Sequence, residues 1–336
     1  MNIYDIAKLS GVSIATVSRV VNGSSKVSEK TREKVMEVLE SSGYTPNVFA
    51  RGLGLGSMKS IGIIYPDISD AFMAESISIL ERALKSHDYF CIVGCSGHEL
   101  EEKENLARFF ISKKVDALIF VGSTYGEEGE HDTKTDYLRA IAKDTPILLI
   151  NALIHGENIF CSICNDFEAT YNVTEKLIQN GRKQILFLYD STSYSAMHKM
   201  NGYKAALLDA GIPVQHELIL LTKDRIQYTK ELLLHKPTLT FDAVLAIQDN
   251  IAIGALKYAH ATNKSVPEDI CVTGYNNSRF AISCEPELTS VDNHLSTLCH
   301  RTVNTLLRIL NNEDKIEQIV EIKADLVERS STNFSD

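Results

Sequence analysis

The sequence predicts an all-α N-terminal head followed by an α/β body of two doubly wound lobes with parallel sheets. Residues 1–46 contain three short helical patterns with serine, asparagine or glycine at their ends. From residue 61 onward, short apolar runs alternate with helical segments, which is typical of parallel sheets covered on both faces. The chain of 336 residues is also too long for one ordinary core, so more than one domain is expected.

Charge is distributed unevenly between the head and the body. The first 60 residues carry eight basic and five acidic side chains, a net charge of +3, whereas the whole chain carries −10. A basic head on an acidic body suits a protein of which only the head contacts phosphate groups. Neither a membrane span nor a signal peptide is recognisable, so we expect a cytoplasmic protein.

The helices of the head are defined by their caps. Asn2, followed by Asp5, resembles a capping box, and Ser13 and Ser28 stand before the second and third helical patterns. The predicted helices cover residues 2–9, 14–21 and 29–41. Seven apolar residues recur at helical spacing and are predicted to form a small core: Ile6, Val12, Val17, Val20, Val35, Val38 and Leu39.

The second helix is the candidate for DNA recognition. A short turn at Gly11 and Val12 would set it across the first helix, as in a helix-turn-helix that places its second helix in the major groove. Its outward positions combine short hydrogen-bonding side chains with one arginine and two apolar groups that suit thymine methyls. An ordinary solvated helix is the alternative. The predicted contacts are Ser13, Ile14, Ala15, Thr16, Ser18, Arg19 and Asn22.

Three stretches of the head are similar to a known family. They read IYDIAKLSGVSIATVSRVVNG at 3–23, VSEKTREKV at 27–35 and GYTPN at 43–47. This pattern resembles the N-terminal signature of the lactose-repressor/galactose-repressor family of bacterial transcription regulators. The resemblance implies a regulator, usually a repressor, that binds a pseudo-palindromic operator in double-stranded DNA, and it argues against an enzyme. The C-terminal residues show no heptad repeat like the tetramerising tail of some relatives, so the resemblance implies a homodimer.

Residues 47–59 resemble the hinge helix of that family, which folds on the operator and inserts a leucine into the minor groove. Ala50, Arg51 and Leu53 match the positions that contact DNA. Such a wedge unstacks a base step and bends the duplex. Gly52 and Gly54 each weaken a helix by up to about 1 kcal/mol relative to alanine, so the hinge is expected to fold only on DNA. A flexible interdomain linker is the alternative.

The body is predicted to contain at least seven strands, with ligands expected at their carboxyl ends. The predicted strands are 61–65, 90–95, 117–121, 147–150, 185–188, 243–247 and 270–273. Segments such as PDISDAF at 66–72, GYKAA at 202–206 and VPEDI at 266–270 resemble periplasmic-binding-protein-like regulator cores. By that family's chain path, residues 60–160 and 291–320 form the DNA-proximal lobe, and residues 161–290 and 321–336 form the distal lobe.

The resemblance implies a small-molecule effector in the cleft between the lobes, with a sugar or sugar derivative as the expected class. The candidate contacts are Phe72, Met73, Lys199, Asp249, Tyr275 and Asn276. Asp249 would accept hydrogen bonds from sugar hydroxyls or a base, although a helix N-cap is its alternative role. Lys199 stands where many relatives carry arginine, so a bidentate hold on carboxylate or phosphate is weakened. Asn276 replaces a frequent aspartate.

Other functions remain open at this stage. The same regulator could respond to a protein partner or to a nucleoside or purine corepressor. A solute-binding protein would lack the head, and an enzyme would need a motif that the chain does not show, such as a phosphate loop or a nucleophile elbow. No cofactor or metal is expected. Cys161 and Cys164 are spaced for a metal or redox motif, but they lie in an apolar strand pattern that favours a structural role.

Overall fold

The computed structural model describes residues 2–21, 26–43, 57–127 and 133–334. The chain divides into two units, residues 1–60 with 114–116, and residues 61–113 with 117–336. The first unit contains the helical head, and the second contains two α/β lobes, each built on a mainly parallel sheet. The predicted fold class is confirmed.

The three predicted helices of the head are present, with ends shifted by at most one residue. They are α1 (Ile3–Ser10), α2 (Ile14–Val21) and α3 (Glu29–Ser42). The Asn2 side chain accepts hydrogen bonds from the N–H groups of Tyr4 and Asp5, and the Asp5 carboxylate accepts one from the Asn2 N–H at 2.9 Å. This reciprocal pair is the predicted capping box. Gly11 ends α1 in the left-handed conformation, at a φ of 62°.

The two serine caps differ from each other. The Ser13 hydroxyl accepts a hydrogen bond from the Thr16 N–H at 3.1 Å, so it caps α2 as predicted. Ser28 stands at the N-cap position of α3, but its side chain makes no capping bond. Its hydroxyl lies 2.8 Å from that of Thr31 instead. The prediction of a Ser28 side-chain cap is therefore wrong, because a neighbouring side chain takes the bond.

The core of the head is the predicted one. Ile6, Val17 and Val35 are fully buried and Val20 is 4% exposed, with the remaining three predicted residues partly buried around them. Burial of each large aliphatic side chain contributes roughly 1.5–3 kcal/mol relative to exposure. Val17 and Val20 of α2 belong to this core, so its packing determines which side of α2 faces solvent.

The first lobe is built on a six-stranded sheet. Its strands and helices are β1 (Ser60–Tyr65), α4 (Ala71–Lys85), β2 (Phe90–Cys95), α5 (Leu100–Ser112), β3 (Ala117–Val121), α6 (Asp136–Ala142), β4 (Ile147–Ile150), β5 (Ile159–Cys164), α11 (Leu295–Leu310) and β11 (Ile319–Ile322). The strand order is β11-β5-β4-β3-β1-β2, and the pairings from β1 through β3, β4 and β5 to β11 are parallel. β3 and β4 are entirely buried, as expected for central parallel strands.

The second lobe repeats this plan. Its elements are α7 (Asp166–Gln179), β6 (Ile185–Tyr189), α8 (Tyr194–Asp209), β7 (Ile219–Leu221), α9 (Ile226–Leu234), β8 (Ala243–Ala246), α10 (Asp249–Ala261), β9 (Cys271–Tyr275), β10 (Thr289–Asp292) and β12 (Asp325–Val327). The strand order is β12-β10-β9-β8-β6-β7, with only the β10-β12 pair antiparallel. The carboxyl ends of the parallel strands place their following loops at one edge of the sheet.

The predicted lobe boundaries at 160/161, 290/291 and 320/321 each fall inside a strand. β5 pairs along its length with β4 and β11, so the first lobe extends to Cys164. β10 belongs to the second sheet and β11 to the first. The chain therefore crosses between lobes after Cys164, Asp292 and Ile322. A strand cannot change sheet in mid-length without losing its ladder of hydrogen bonds, and apolar patterning does not reveal that constraint.

The seven predicted strands are all present, with ends shifted by at most two residues. The structure adds β5, which covers the apolar strand pattern around Cys161 and Cys164, and the strands β7, β10, β11 and β12 of three or four residues each. The pair Cys161 and Cys164 lies in β5, where both thiols are buried, and burial raises their pKa values to about 12. Both are thus held as neutral apolar side chains.

Across the described ranges, none of the helices is both long enough and apolar enough to cross a membrane.

Candidate functional site

The exposed face of α2 is set by the two valines on its other side. Val17 and Val20, three residues apart, are buried in the head core, which turns the opposite positions outward. Ser13, Ile14, Ala15 and Arg19 are exposed, and Thr16 and Ser18 are partly exposed. Six of the seven predicted recognition residues are therefore at least partly exposed to solvent. Asn22 lies outside the described residues, as do the hinge candidates Ala50, Arg51 and Leu53.

The chemistry of this face suits a polyanion. α2 contains no acidic residue, and Arg19 offers a fork of N–H donors in its last turn. The hydroxyls of Ser13 and Thr16 lie 2.9 Å apart at the start of the helix. Small side chains on this end allow close approach to a groove floor, while Ile14, 41% exposed, offers an apolar contact. These groups can hold phosphates and read base edges.

A second candidate site lies where the carboxyl ends of strands from both lobes meet. We call it the inner cavity, and it is lined by Asp70, Phe72, Met73, Ser123, Asn151, Asp190, Ser193, Ser195, Lys199, Gln248 and Asn276, among others. The Ser123 hydroxyl donates a hydrogen bond to Ser193 at 2.8 Å and so joins the two lobes beside it. The volume is about 50 Å³. That space holds a few waters, so a sugar ring requires the lobes or side chains to move apart.

Four of the six predicted effector contacts line the inner cavity. Phe72 and Met73 begin α4 and are 6% and 8% exposed. Lys199 on α8 is 5% exposed, and its ammonium donates to the Ile247 carbonyl at 3.3 Å. Asn276 follows β9 with a φ of 90° and accepts a hydrogen bond from the Asn293 side chain. The structure therefore gathers an apolar wall, one cation and one amide.

Tyr275 does not line the inner cavity. It is 1% exposed, its hydroxyl donates to the Asp166 carboxylate, and the Lys199 ammonium covers its ring at 3.5 Å from the centroid. A ring covered on this face by a lysine cannot stack there on a ligand. Its predicted ligand contact is corrected to a supporting position beneath Lys199.

Asp249 does not line the inner cavity, but it lines a smaller adjoining cavity that shares Phe72, Gln248 and Asn276 with it. One carboxylate oxygen accepts hydrogen bonds from the N–H and the hydroxyl of Ser278, both at 2.7 Å, and the other accepts one from the Ser290 hydroxyl at 2.6 Å. Burial raises its pKa. Asp249 is the first residue of α10, and Gln248 holds the N-cap position. Asp249 therefore links the loop that follows β9 to strand β10 by hydrogen bonds.

Sequence reasoning missed most of the residues that line the inner cavity, among them Asp70, Asp190, Ser195 and Gln248. Asp70 caps α4 by accepting from the Phe72 N–H at 2.7 Å, and the Gln248 amide donates to Asp190 at 2.8 Å. Ser195 is 3% exposed, and its hydroxyl has no hydrogen-bond partner among the described residues. Their position in the sequence could have identified three of them. Asp70, Asp190 and Gln248 closely follow β1, β6 and β8, where ligand contacts are expected.

Carboxylates dominate the electrostatics of the cleft. Burial raises the pKa values of Asp70 and Asp190, and hydrogen bonds from neighbouring groups offset part of this shift. Asp224 has its pKa raised to about 7 by burial first, and then by the charges of Asp70 and Asp190. Lys199 is the cation that lowers the pKa of Asp190. The arrangement offers acceptors to the hydroxyl or amino groups of a ligand.

A helix-turn-helix head and a two-lobed α/β body with a polar cleft define the class of ligand-responsive DNA-binding regulators. Comparison with known families agrees. Residues 2–47 match the family described as "Bacterial regulatory proteins, lacI family", and residues 58–330 match "Periplasmic binding proteins and sugar binding domain of LacI family". The chain belongs to the lacI family of DNA-binding transcriptional regulators, whose members are regulators and not enzymes.

Relatives match over essentially the whole length. An HTH-type transcriptional regulator of Lachnoclostridium phytofermentans is 45% identical over 99% of this chain and 100% of its own length. Catabolite control protein A of Priestia megaterium is 32% identical over 99% of both chains. The lac repressor dimer bound to operator and the anti-inducer ONPF superposes with a TM-score of 0.88 over 99% of both chains, at 23% identity, and supports the fold.

Proposed function

We propose that this protein is a homodimeric transcription repressor that binds a pseudo-palindromic operator and responds to a small-molecule effector. The observation that carries the proposal is the exposed side of α2, on which Ala15 and Arg19 stand opposite the buried Val17 and Val20, while Ser13 and Thr16 lie at its N-terminal end. This placement presents hydrogen-bond donors and a cation to the major groove while the core keeps the helix rigid. The proposed regulator is a cytoplasmic protein that needs no cofactor.

Base readout is assigned to α2 and bending to the hinge. Ile14 and Ala15 would contact thymine methyls, Ser18 and Asn22 would bond to phosphates or base edges, and Arg19 would reach guanine. Ala50, Arg51 and Leu53, which lie outside the described residues, would enter the minor groove in pairs from two subunits. The Leu53 wedge would add affinity only at the centre of the palindrome.

A sugar or sugar derivative in the inner cavity is the effector that the lining supports best. The Asp70 and Asp190 carboxylates come from opposite lobes and can each accept hydrogen bonds from hydroxyl groups. Ser195 and Lys199 supply donors, and Phe72 supplies an apolar wall. Binding across the cleft would favour one arrangement of the lobes and thereby change operator affinity. By linkage, operator binding would change effector affinity by the same factor.

Dimerisation is supported by the outer strands of the two sheets. β2 ends the first sheet and β7 ends the second, and edge strands normally avoid large exposed apolar groups. Here Phe90 is 66% exposed, Val93 42% and Leu221 57%. Neighbouring Tyr228 on α9 is 40% exposed. Such apolar groups on a soluble protein mark an interaction surface, and a second copy of this chain is the proposed occupant.

The proposal is tested by selecting operators from random duplex DNA with the full-length protein and measuring affinity by fluorescence anisotropy at fixed salt. Recovery of a two-fold symmetric site supports it, and recovery of no sequence preference contradicts DNA recognition. Leu53→Ala should weaken binding to the selected palindrome more than binding to random DNA. Equal losses of affinity for the two DNAs would show that Leu53 does not insert into the minor groove.

The effector is sought by a thermal-shift screen against sugars, sugar phosphates, nucleosides and purines. A ligand at 100 times its Kd stabilises the folded state by about 2.7 kcal/mol. A hit that also changes operator affinity identifies the effector and shows whether it releases or promotes DNA binding. A nucleoside or purine hit would replace the sugar proposal, and an operator affinity that changes only with a cell protein would favour a protein partner.

A further inference from the structure

A second and larger cavity adjoins the inner cavity in the cleft. This outer cavity has a volume of about 350 Å³, and its lining includes Lys103, Thr124, Lys134, Tyr137, Ser191 and Ser193. Ser191 and Ser193 line both cavities, so the two are neighbours along the same cleft. The outer cavity is large enough for a substantial part of a ligand, whereas the inner cavity is not.

The N-terminal ends of two helices, one from each lobe, border the outer cavity. His98, Glu99 and Leu100 line it at the start of α5, and Ser191 to Ser193 line it directly before α8. The N-cap residues Glu99 and Ser193 make no side-chain capping bonds. The first N–H groups of a helix lack partners within the helix and carry a partial positive charge, which favours a bound anion.

Two lysines add full positive charge to the same wall. Lys103 is 8% exposed; its ammonium donates to the Thr124 carbonyl at 2.9 Å and lies 5.0 Å from the centroid of the Tyr125 ring. Lys134 also lines the cavity, and Glu99 supplies the opposing charge. The inner cavity contrasts with this, because the carboxylates of Asp70 and Asp190 line it.

The Tyr137 hydroxyl is an observation that does not depend on the helix ends. It lines the outer cavity and is 7% exposed, yet its hydroxyl has no hydrogen-bond partner among the described residues. The hydroxyl of Thr124 on the same wall also lacks one within that part of the chain. A buried polar group without a partner costs roughly 1–3 kcal/mol, so two on one wall point to a bonding partner supplied from outside.

We propose that the outer cavity binds the anionic group, a phosphate or a carboxylate, of an effector whose hydroxylated part occupies the inner cavity. The anion would lie between the N-terminal ends of α5 and α8 and would accept hydrogen bonds from Tyr137 and Thr124. Because the two helices belong to different lobes, the bound anion would hold the lobes together. This inference rests on the proposed effector site and specifies the chemical class of its ligand.

The test uses full-length protein without DNA, titrated by calorimetry at constant ionic strength with inorganic phosphate, glucose, glucose 6-phosphate and gluconate. Glucose 6-phosphate or gluconate should bind at least ten-fold more tightly than glucose, and the better of the two identifies phosphate or carboxylate as the anionic group. Inorganic phosphate alone should raise the melting temperature. Equal binding of the charged and uncharged sugars, or no effect of any anion, would overturn the proposal.

Variants locate the anion. Tyr137→Phe and Thr124→Val each remove one hydroxyl. Each should reduce at least three-fold the gain in affinity that the charged sugar shows over glucose, without changing the affinity for glucose itself. Tyr171→Phe removes an exposed tyrosine hydroxyl that bonds to Asp209 in the second lobe, and it should leave the gain unchanged. An unchanged gain in both cavity variants overturns the assignment to this cavity. Operator selection is scored separately, so retained DNA recognition would show that only the anion site is wrong.

Discussion

The ammonium of Lys199 lies 3.5 Å from the centroid of the Tyr275 ring, between that buried ring and the inner cavity. The lysine is held by this cation-π contact and by the Ile247 carbonyl, while the Tyr275 hydroxyl is anchored by Asp166. A desolvated contact of this kind stabilises by up to about 2 kcal/mol. The aromatic side chain therefore positions the cation, and the lysine side chain lines the inner cavity.

Lys199→Met keeps much of the side-chain length and removes the charge. We expect effector affinity to fall at least ten-fold, because the cleft loses the cation that offsets Asp190, while operator affinity without effector stays the same. Calorimetry with the effector found by screening measures the first, and anisotropy measures the second. Lys257→Met, on the exposed face of α10, is the matched control. Unchanged effector affinity would place Lys199 outside the ligand site.

Arg19→Ala should weaken binding to the selected operator by about 1–3 kcal/mol and relax sequence preference at one position of each half-site. The reason is the loss of an exposed guanidinium on a face without acidic residues. Anisotropy at fixed salt gives the affinity. Arg108→Ala on α5 removes an exposed arginine from the body and should change nothing. Full affinity in the head variant would exclude Arg19 from the interface.

Asp249→Ala should lower the free energy of unfolding by about 2–4 kcal/mol, since three hydrogen bonds to a buried carboxylate are lost. Urea unfolding followed by circular dichroism measures this change. Asp314→Ala, at an exposed position, should leave stability unaltered. If Asp249→Ala folds as stably as the parent and loses only its effector response, the residue contacts ligand after all.

Asp224 should make stability depend on pH. Its pKa is raised to about 7 in the folded state from an ordinary value of 3.8, mainly by burial. Between these two pKa values the folded state binds more protons than the unfolded state. The stabilisation of the folded state by Asp224 is therefore present below pH 4 and is lost as the pH rises to about 7. Asp224→Asn should flatten this fall and raise the melting temperature at pH 8.

The comparison is made between pH 4.5 and 8 with parent and variant in the same buffers. Asp269→Asn is the control, because hydrogen bonds from Ser265 lower the pKa of that exposed carboxyl, so it stays ionised from pH 4.5 to 8 and its replacement should not change the pH dependence. Parallel melting curves for parent and Asp224→Asn across this range would show that Asp224 titrates normally.

Phe90→Asp and Leu221→Asp should each raise the dimer Kd at least ten-fold, because a carboxylate replaces an exposed apolar group on an outer strand. Sedimentation equilibrium measures the association, and the weaker dimer should also bind the palindrome less tightly. Leu208→Asp changes a side chain on α8 that is 63% exposed and serves as control. A dimer that tolerates both edge variants would place the interface elsewhere.

The sequence alone determined the local features of this protein. The Asn2 and Asp5 capping box, the caps around α2 and the three-residue spacing of Val17 and Val20 are short-range patterns, and they specified the helices and the outward face that carries Arg19. The seven predicted strands followed from apolar runs in the same way. The lacI family resemblance added the order of the lobes and the position of the cleft.

Only the tertiary structure decided how side chains distant in sequence share their bonds. Asp249 bonds to Ser278 and Ser290, and Tyr275 is covered by Lys199, so two predicted ligand contacts have protein groups as their bonding partners. The end of β5 at Cys164 and the outer cavity beside Tyr137 also depend on which segments of the chain lie next to each other. Hydrogen-bond satisfaction and burial are properties of the packed neighbours, and no local period in the sequence encodes them.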